Sequence, residues 1–201
     1  EIAIVIPRGP VALVHPKQVM LHLHGFRGVC RTKNNQLDTK ANAEQILAAF
    51  DIVPSFIFAL SDAQVADSIL VFPVSLGRED DYRNKLIPQM EGFMAWVNAV
   101  ADLDEDSRWY ISGHSGAGDI IAKALTVSHE LVKRTSSVML LDATYRTNQA
   151  DYTKSLRTNP EIYISSVYVK NSQTEKPTKL LQSSLNQLMD RSMDQKLAEF
   201  P

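Results

Sequence analysis

Residues 108–120 read RWYISGHSGAGDI, and this stretch decides the fold prediction. Residues 108–112 are mostly apolar or aromatic and predict a buried strand, the glycines that follow predict a tight turn, and a helical pattern begins at Asp119. A strand, a tight turn with a serine and a helix in direct succession are typical of an α/β sheet whose serine hydroxyl stands at the end of its strand. The stretch therefore predicts a strand–turn–helix unit with Ser115 at its corner.

The small residues around Ser115 have a physical purpose. A serine at such a corner has a strained backbone, and its neighbours must be small so that strand and helix can approach; Gly113 and Ala117 meet that need. The first turn of the helix offers unpaired N–H groups and a partial positive charge, which stabilise an oxyanion. We predict that Ser115 is a nucleophile and that the Gly116 N–H is an oxyanion donor. A turn that only packs, or one that binds phosphate, is the alternative.

Strand and helix patterns alternate along most of the chain. This alternation predicts one three-layer α/β domain over residues 1–201, with a mainly parallel sheet and helices on both faces. Polar stretches near 147–158 and 171–178 are predicted to be loops, and Trp96 is predicted to lie in the core. The predicted strands cover residues 2–6, 18–23, 68–74, 108–112, 137–141 and 161–169, and the predicted helices 43–50, 54–66, 86–103, 119–134 and 176–197.

Composition excludes several classes of function. The 201 residues carry 21 Lys and Arg against 23 Asp and Glu, and this balance argues against nucleic acid as the main partner. No apolar run is long enough to span a membrane. Cys30 is the single cysteine, so neither an internal disulfide nor a cysteine-based zinc site is expected. No metal-binding or nucleotide-binding motif is present, so no cofactor is predicted. We expect a soluble protein, cytoplasmic or processed and secreted, of open oligomeric state.

A second predicted loop lies at the same edge of the sheet. Ligands of such sheets bind outside the carboxyl ends of the strands. The strand over 18–23 ends in His24 and Gly25, and a glycine there lets the backbone turn an N–H group inward. We therefore predict a second oxyanion donor at Gly25 or Phe26. For His24, a structural role that orients the loop is favoured over a catalytic one.

The motifs HLHG at 22–25 and SGHSGAG at 112–118 resemble those of the α/β-hydrolase superfamily. The likeness extends to the order of strands over most of the chain, and it identifies a superfamily but not a substrate. It implies acyl transfer to a serine and then hydrolysis by water, with a triad in the chain order serine, acid, histidine. We therefore expect a serine hydrolase that cleaves a carboxylic ester or an amide through an acyl-enzyme on Ser115. The motif departs from G-x-S-x-G at Ala117.

The acid of the triad has a candidate in Asp142, which ends the strand over 137–141, the next strand after the turn. A carboxylate there would hold an imidazole in the correct tautomer and stabilise its charged form. The alternative is that Asp142 only caps its own loop beside Thr144. Glu175, after the following strand, is the second candidate for the acid.

The histidine is harder to assign. Among the five histidines only His129 follows Ser115, and it lies roughly 20 Å along the next helix. His114 is inside the turn and points away, and His24 would need to come within ~3 Å of the hydroxyl. Three explanations remain open: the last strand, loop and helix of such folds are absent from this chain, the base is replaced, or the protein does not hydrolyse. The first is preferred. The alternative function is therefore a non-catalytic α/β-hydrolase-like binding protein, or a truncated fragment of a hydrolase.

Overall fold

A computed structural model describes residues 2–5, 16–24, 68–73, 82–145 and 148–189. Six strands form one sheet in the order β1-β3-β2-β4-β5-β6. β1 is antiparallel to β3, and the other neighbours are all parallel. The strands are β1 (Ile2–Val5), β2 (Gln18–Leu23), β3 (Ser68–Pro73), β4 (Arg108–His114), β5 (Thr135–Leu141) and β6 (Tyr163–Val167). The prediction of a mainly parallel α/β sheet is confirmed.

The described helices follow the strands and pack on one another. They are α1 (Met90–Ala101), α2 (Ala117–Val127), α3 (His129–Arg134), α4 (Gln149–Thr158) and α5 (Glu175–Met189), and α1 is preceded by a π-helical turn, Tyr82–Leu86, and a 3-10 turn, Ile87–Gln89. α2 packs on β4 and against α3 and α4, and α5 packs against α4. The predicted helices over 43–50 and 54–66 lie outside the described residues.

The register of the central strands determines which residues share the carboxyl edge of the sheet. Alternate residues of β2 are buried, and Leu23 at its end lies opposite Gly113 of β4. On the other side of β4, His114 lies opposite Leu141, the last residue of β5. The residues that follow β2, β4 and β5 therefore meet at one edge, where ligands of parallel sheets bind.

Two predictions about the helices are wrong. The helix predicted over 119–134 is two helices, because Ser128 has extended backbone angles (φ −106°, ψ 108°) and its hydroxyl accepts a hydrogen bond from the Leu131 N–H at 3.1 Å. The polar stretch near 147–158 predicts a loop, but it contains α4. Few residues of α4 are buried, and its polar composition gives little apolar periodicity to detect.

The prediction that Trp96 lies in the core is also wrong, since its side chain is 44% exposed. The inner face of α1 is filled by other apolar residues, namely Met90, Phe93, Met94, Val97 and Ala101. A helix advances about 100° per residue, so Trp96 lies on a different face of α1 from that apolar stripe and points outward.

Glycines allow α2 to approach the sheet and the loop that follows β5. A Cβ atom on Gly113 would lie 2.6 Å from the Ile121 side chain and 2.9 Å from the Ala117 Cβ. A Cβ atom on Gly118 would overlap the carbonyl oxygen of Ala143, which no side-chain movement relieves. The Gly118 carbonyl accepts a hydrogen bond from the buried Tyr152 Oη at 2.7 Å. The first turn of α2 is therefore held directly against the loop after β5.

We predict that Gly118→Ala lowers the free energy of unfolding by about 3 kcal/mol, because the added methyl group overlaps backbone atoms of Ala143. The matched control is Gly92→Ala in α1, where nothing lies within 4 Å of the added Cβ. Alanine favours a helix interior over glycine, so this change raises stability by about 0.5 to 1 kcal/mol. Denaturant unfolding of both variants measures the difference, and equal effects would contradict the close packing at Gly118.

Candidate functional site

Two neighbouring strands end in residues with a left-handed backbone. Ser115 follows β4 with φ 53°, and Asp142 follows β5 with φ 50°. The Ser115 N–H donates to the Leu141 carbonyl at 3.1 Å, and the Asp142 N–H donates to the Val167 carbonyl at 2.6 Å. These bonds continue the ladder of the sheet by one residue beyond each strand. Residues other than glycine rarely adopt a positive φ, and those that do are frequent at functional sites.

The chain turns sharply at Ser115 before α2 begins. The Ser115 carbonyl accepts a hydrogen bond from the Gly118 N–H at 3.1 Å, and the Ser115 side chain is half-buried. Gly116 precedes the first helical residue and already has helical angles (φ −54°, ψ −17°). Within the described residues the Gly116 N–H has no hydrogen-bond partner. It lies at the positive end of the α2 dipole, as an oxyanion donor would.

Tyr145 is a site residue that the sequence analysis missed. Its Oη lies 3.3 Å from the Ser115 Oγ, and this is the only hydrogen bond of the Ser115 side chain within the part of the chain that the structure describes. Tyr145 lies in the loop after β5, three residues beyond Asp142. Its position in a loop at the carboxyl edge was a usable signal, but nothing in the sequence links its phenol to Ser115.

One oxygen of the Asp142 carboxylate is held by the loop that follows β6. Oδ1 accepts hydrogen bonds from the Val169 N–H at 3.3 Å, the Ser172 hydroxyl at 3.3 Å and the Thr174 hydroxyl. Oδ2 has no hydrogen-bond partner among the described residues. The carboxylate is thus anchored through one oxygen and can accept a hydrogen bond on the other.

Glu175, the second candidate for the acid, is engaged by its own helix and loop. Its Oε1 accepts from Lys179 Nζ at 2.8 Å, and its Oε2 accepts from the Asn171 N–H at 2.7 Å. The hydrogen bond from Lys179, with that from the Asn171 N–H, lowers the pKa of Glu175. Both oxygens are therefore occupied locally, whereas Asp142 has one oxygen to offer.

The histidines at the end of β2 are packed among aromatic rings. His24 is buried, with its ring centroid 5.2 Å from that of Tyr82 and 6.0 Å from that of Phe72. The His22 ring stacks on Phe72 at 5.6 Å, and its Nδ1 lies 2.8 Å from the Ser112 Oγ. Burial lowers the pKa of His22 to about 4, with repulsion from His24 and His114 as smaller causes.

The other predicted site residues are either exposed or outside the described residues. His114 and His129 are exposed, the latter at the start of α3. Gly25 and Phe26, the predicted second oxyanion donors, lie outside the described residues. Over the described ranges, no group of three His, Cys, Asp or Glu side chains is placed to hold a metal ion. None of the helices within those ranges is long and apolar enough to cross a membrane.

The neutral state of His22 predicts a pH dependence of stability. Between the ordinary histidine pKa of 6.5 and the folded value of about 4, the unfolded chain binds a proton that the folded chain does not. Stability from this group is therefore complete above pH 6.5 and falls by about 3 kcal/mol as the pH drops to 4. In His22→Asn, unfolding free energies measured at pH 7 and at pH 4.5 should differ less than in the wild type. An unchanged difference would contradict the assignment.

Comparison with known proteins gives the fold class independently. No protein-family model and no curated protein matches the chain. Similar solved structures include a protein named as a dienelactone hydrolase from Klebsiella pneumoniae subsp. pneumoniae MGH 78578 (TM-score 0.56, 11% identity, 96% of this chain and 77% of that one). The acylaminoacyl peptidase of Pyrococcus horikoshii is matched at TM-score 0.56 and 12% identity, over 100% of this chain and 34% of that one. A glucuronoyl esterase from Solibacter usitatus is matched at TM-score 0.55 and 13% identity, over 94% and 64%. The chain has an α/β-hydrolase-like fold.

Proposed function

We propose that this chain is the core of a serine hydrolase that cleaves a carboxylic ester or an amide through an acyl-enzyme on Ser115. The observation that carries the proposal is the left-handed backbone of Ser115 at a sharp turn between β4 and α2, which sets its half-buried hydroxyl at the carboxyl edge of the sheet. The fold shared with esterases and a peptidase is consistent with this chemistry. Fold alone does not assign a reaction, so the proposal depends on the site.

In the proposed acylation, the Ser115 Oγ adds to the carbonyl carbon and its proton passes to an imidazole base. The carbonyl π electrons move to the carbonyl oxygen, and the Gly116 N–H donates to this oxyanion. A second N–H, from Gly25 or Phe26, would complete the oxyanion site. When the tetrahedral intermediate collapses, the bond to the alcohol or amine breaks, and the leaving group takes the proton from the imidazolium.

Asp142 is proposed to orient that imidazole. Its Oδ1 is held by the Val169 N–H and by two hydroxyl groups, so Oδ2 can accept a hydrogen bond from an imidazole N–H without disturbing the loop. This bond would select the tautomer that accepts the Ser115 proton and would stabilise the imidazolium. Among the described residues no histidine is bonded to Oδ2, so the imidazole is proposed to come from elsewhere in the protein.

The first test is covalent labelling with a fluorophosphonate, which reacts with an activated serine. We expect one phosphonate per chain on Ser115, located by peptide mass spectrometry, and no labelling of Ser115→Ala. Ser112→Ala is the matched control, since it removes a hydroxyl group three residues away and should still be labelled. A full-length protein that contains the proposed histidine and still stays unlabelled would contradict the nucleophile assignment. It would favour the alternative of a binding protein, in which the Ser115 hydroxyl only pairs with Tyr145.

Two substitutions at Asp142 separate its structural and chemical roles. The amide introduced by Asp142→Asn keeps an oxygen that accepts from the loop, and asparagine tolerates positive φ, so this change should cost less than about 1 kcal/mol of stability. The amide lacks the charge that stabilises an imidazolium and favours the wrong tautomer, so the rate of Ser115 labelling should fall by about 10⁴-fold. Asp142→Ala removes the acceptor and should lower the unfolding free energy by about 2 kcal/mol or more. If Asp142→Asn labels at the wild-type rate, the carboxylate only anchors the loop.

A further inference from the structure

The Tyr145 phenol contacts the Ser115 Oγ but is not part of the proposed triad. We propose that Tyr145 donates a hydrogen bond to the Ser115 Oγ and thereby assists the departure of this oxygen when the acyl-enzyme is hydrolysed. The inference rests on the proposed function, because it concerns the acyl-enzyme on Ser115. The observation behind it is the 3.3 Å separation between the Tyr145 Oη and the Ser115 Oγ.

Tyr145 is held in this position by its own loop. Its N–H donates to the Asn148 Oδ1 at 3.2 Å, and its carbonyl accepts from the Asn148 N–H at 3.2 Å. The buried Asn148 also donates from Nδ2 to the Ala143 carbonyl at 3.2 Å. This segment lies on the first turn of α2, where Gly118 leaves no room for a side chain. Hydrogen bonds with Asn148 therefore fix the backbone of Tyr145 beside the close approach of Gly118 and Ala143.

Acidity decides which hydroxyl group of the pair is the donor. A tyrosine phenol is more acidic than an aliphatic hydroxyl such as that of serine. The phenol is therefore the stronger donor, and the Ser115 Oγ accepts. The Ser115 hydrogen is then free to point toward a base. Within the described residues the Tyr145 Oη has no other hydrogen-bond partner that would compete.

A donor on Oγ affects the two half-reactions differently. Before acylation the free Ser115 hydroxyl already accepts this hydrogen bond, so the bond adds little stabilisation as Oγ attacks, whereas the ester oxygen of the acyl-enzyme accepts it only weakly. In deacylation a water oxygen adds to the acyl carbon, and then the bond between this carbon and Oγ breaks. The electron pair stays on Oγ, which receives a proton that originated in the water, and the products are the carboxylic acid and free Ser115. Negative charge grows on Oγ in this step, so a donor stabilises it.

The test separates the half-reactions with 4-nitrophenyl acetate. Release of nitrophenol reports acylation, and the mass of the intact protein reports the acetyl-enzyme and its decay. In Tyr145→Phe we expect decay about tenfold slower than in the wild type, as for the loss of one hydrogen bond worth about 1.4 kcal/mol. Acylation should change less than about threefold, so the acetyl-enzyme accumulates. Tyr163→Phe, on the strand β6, is the matched control and should leave both rates unchanged.

A second variant tests donor strength without removing the ring. Replacing Tyr145 with 3-fluorotyrosine makes the phenol more acidic, and at a pH where it stays protonated the acetyl-enzyme should decay faster than in the wild type. This shift is opposite to that of Tyr145→Phe, and a role in packing alone would not produce it. Thermal unfolding of each variant checks that the fold is retained.

The outcomes distinguish the two proposals. A wild type that acetylates at Ser115, together with a Tyr145→Phe variant whose acetyl-enzyme decays at the wild-type rate, overturns the role of Tyr145 alone. Equal slowing of both half-reactions also overturns it, since that result indicates general loss of site geometry. A wild type that contains the proposed histidine and never acetylates at Ser115 overturns the proposed function, and the role of Tyr145 with it.

Discussion

The site depends on a single backbone constraint, the left-handed conformation of Ser115. Its N–H is bonded to the Leu141 carbonyl of the neighbouring strand, and its carbonyl accepts from the Gly118 N–H in the first turn of α2. Between these two bonds the chain changes direction from strand to helix within two residues. The conformation costs about 1 to 2 kcal/mol for a residue with a side chain, and packing on both sides maintains it.

The chain turns at Ser115, and the small residues around it leave the space that neighbouring atoms need. None of the described glycines has a positive φ, so the glycines of the turn are needed for space and not for an unusual backbone. Gly113 gives room to Ile121 and Ala117, and Gly118 gives room to the loop after β5. The strain is concentrated on the residue proposed to react.

Short-range patterns predicted much of this structure, and long-range contacts account for the rest. The strand-like run over residues 18–23, which stops at His24 and Gly25, made the bounds of β2 predictable from the sequence, and the end of β5 placed Asp142 at the carboxyl edge of the sheet. The break at Ser128 depends on one hydroxyl group capping α3, which periodicity does not register. α4 is anchored by the hydrogen bond from Tyr152 to α2, and Tyr145 reaches Ser115 across 30 positions of sequence. Such pairings are visible only once the strands are in register.

The Asp142 carboxylate joins two loops through one oxygen and is proposed to serve the chemistry through the other. One oxygen joins the loop after β5 to the loop after β6. A separate set of buried hydroxyl groups joins Thr144 to Ser166 of β6 and Ser166 to Thr178 of α5. The other oxygen is the one proposed for the imidazole. The two roles need not compete, because the donors of the loop all converge on Oδ1.

The contact between Gly118 and the Ala143 carbonyl has a consequence for how this site can diverge. Ser115 lies on one side of that contact, while Asp142 and Tyr145 lie on the other, so a movement of either side displaces these residues relative to one another. Relatives that acquire a new substrate range should therefore keep the glycine and vary their surroundings elsewhere. In directed evolution, residues 113–118 and 142–148 should therefore be exchanged together or left unchanged.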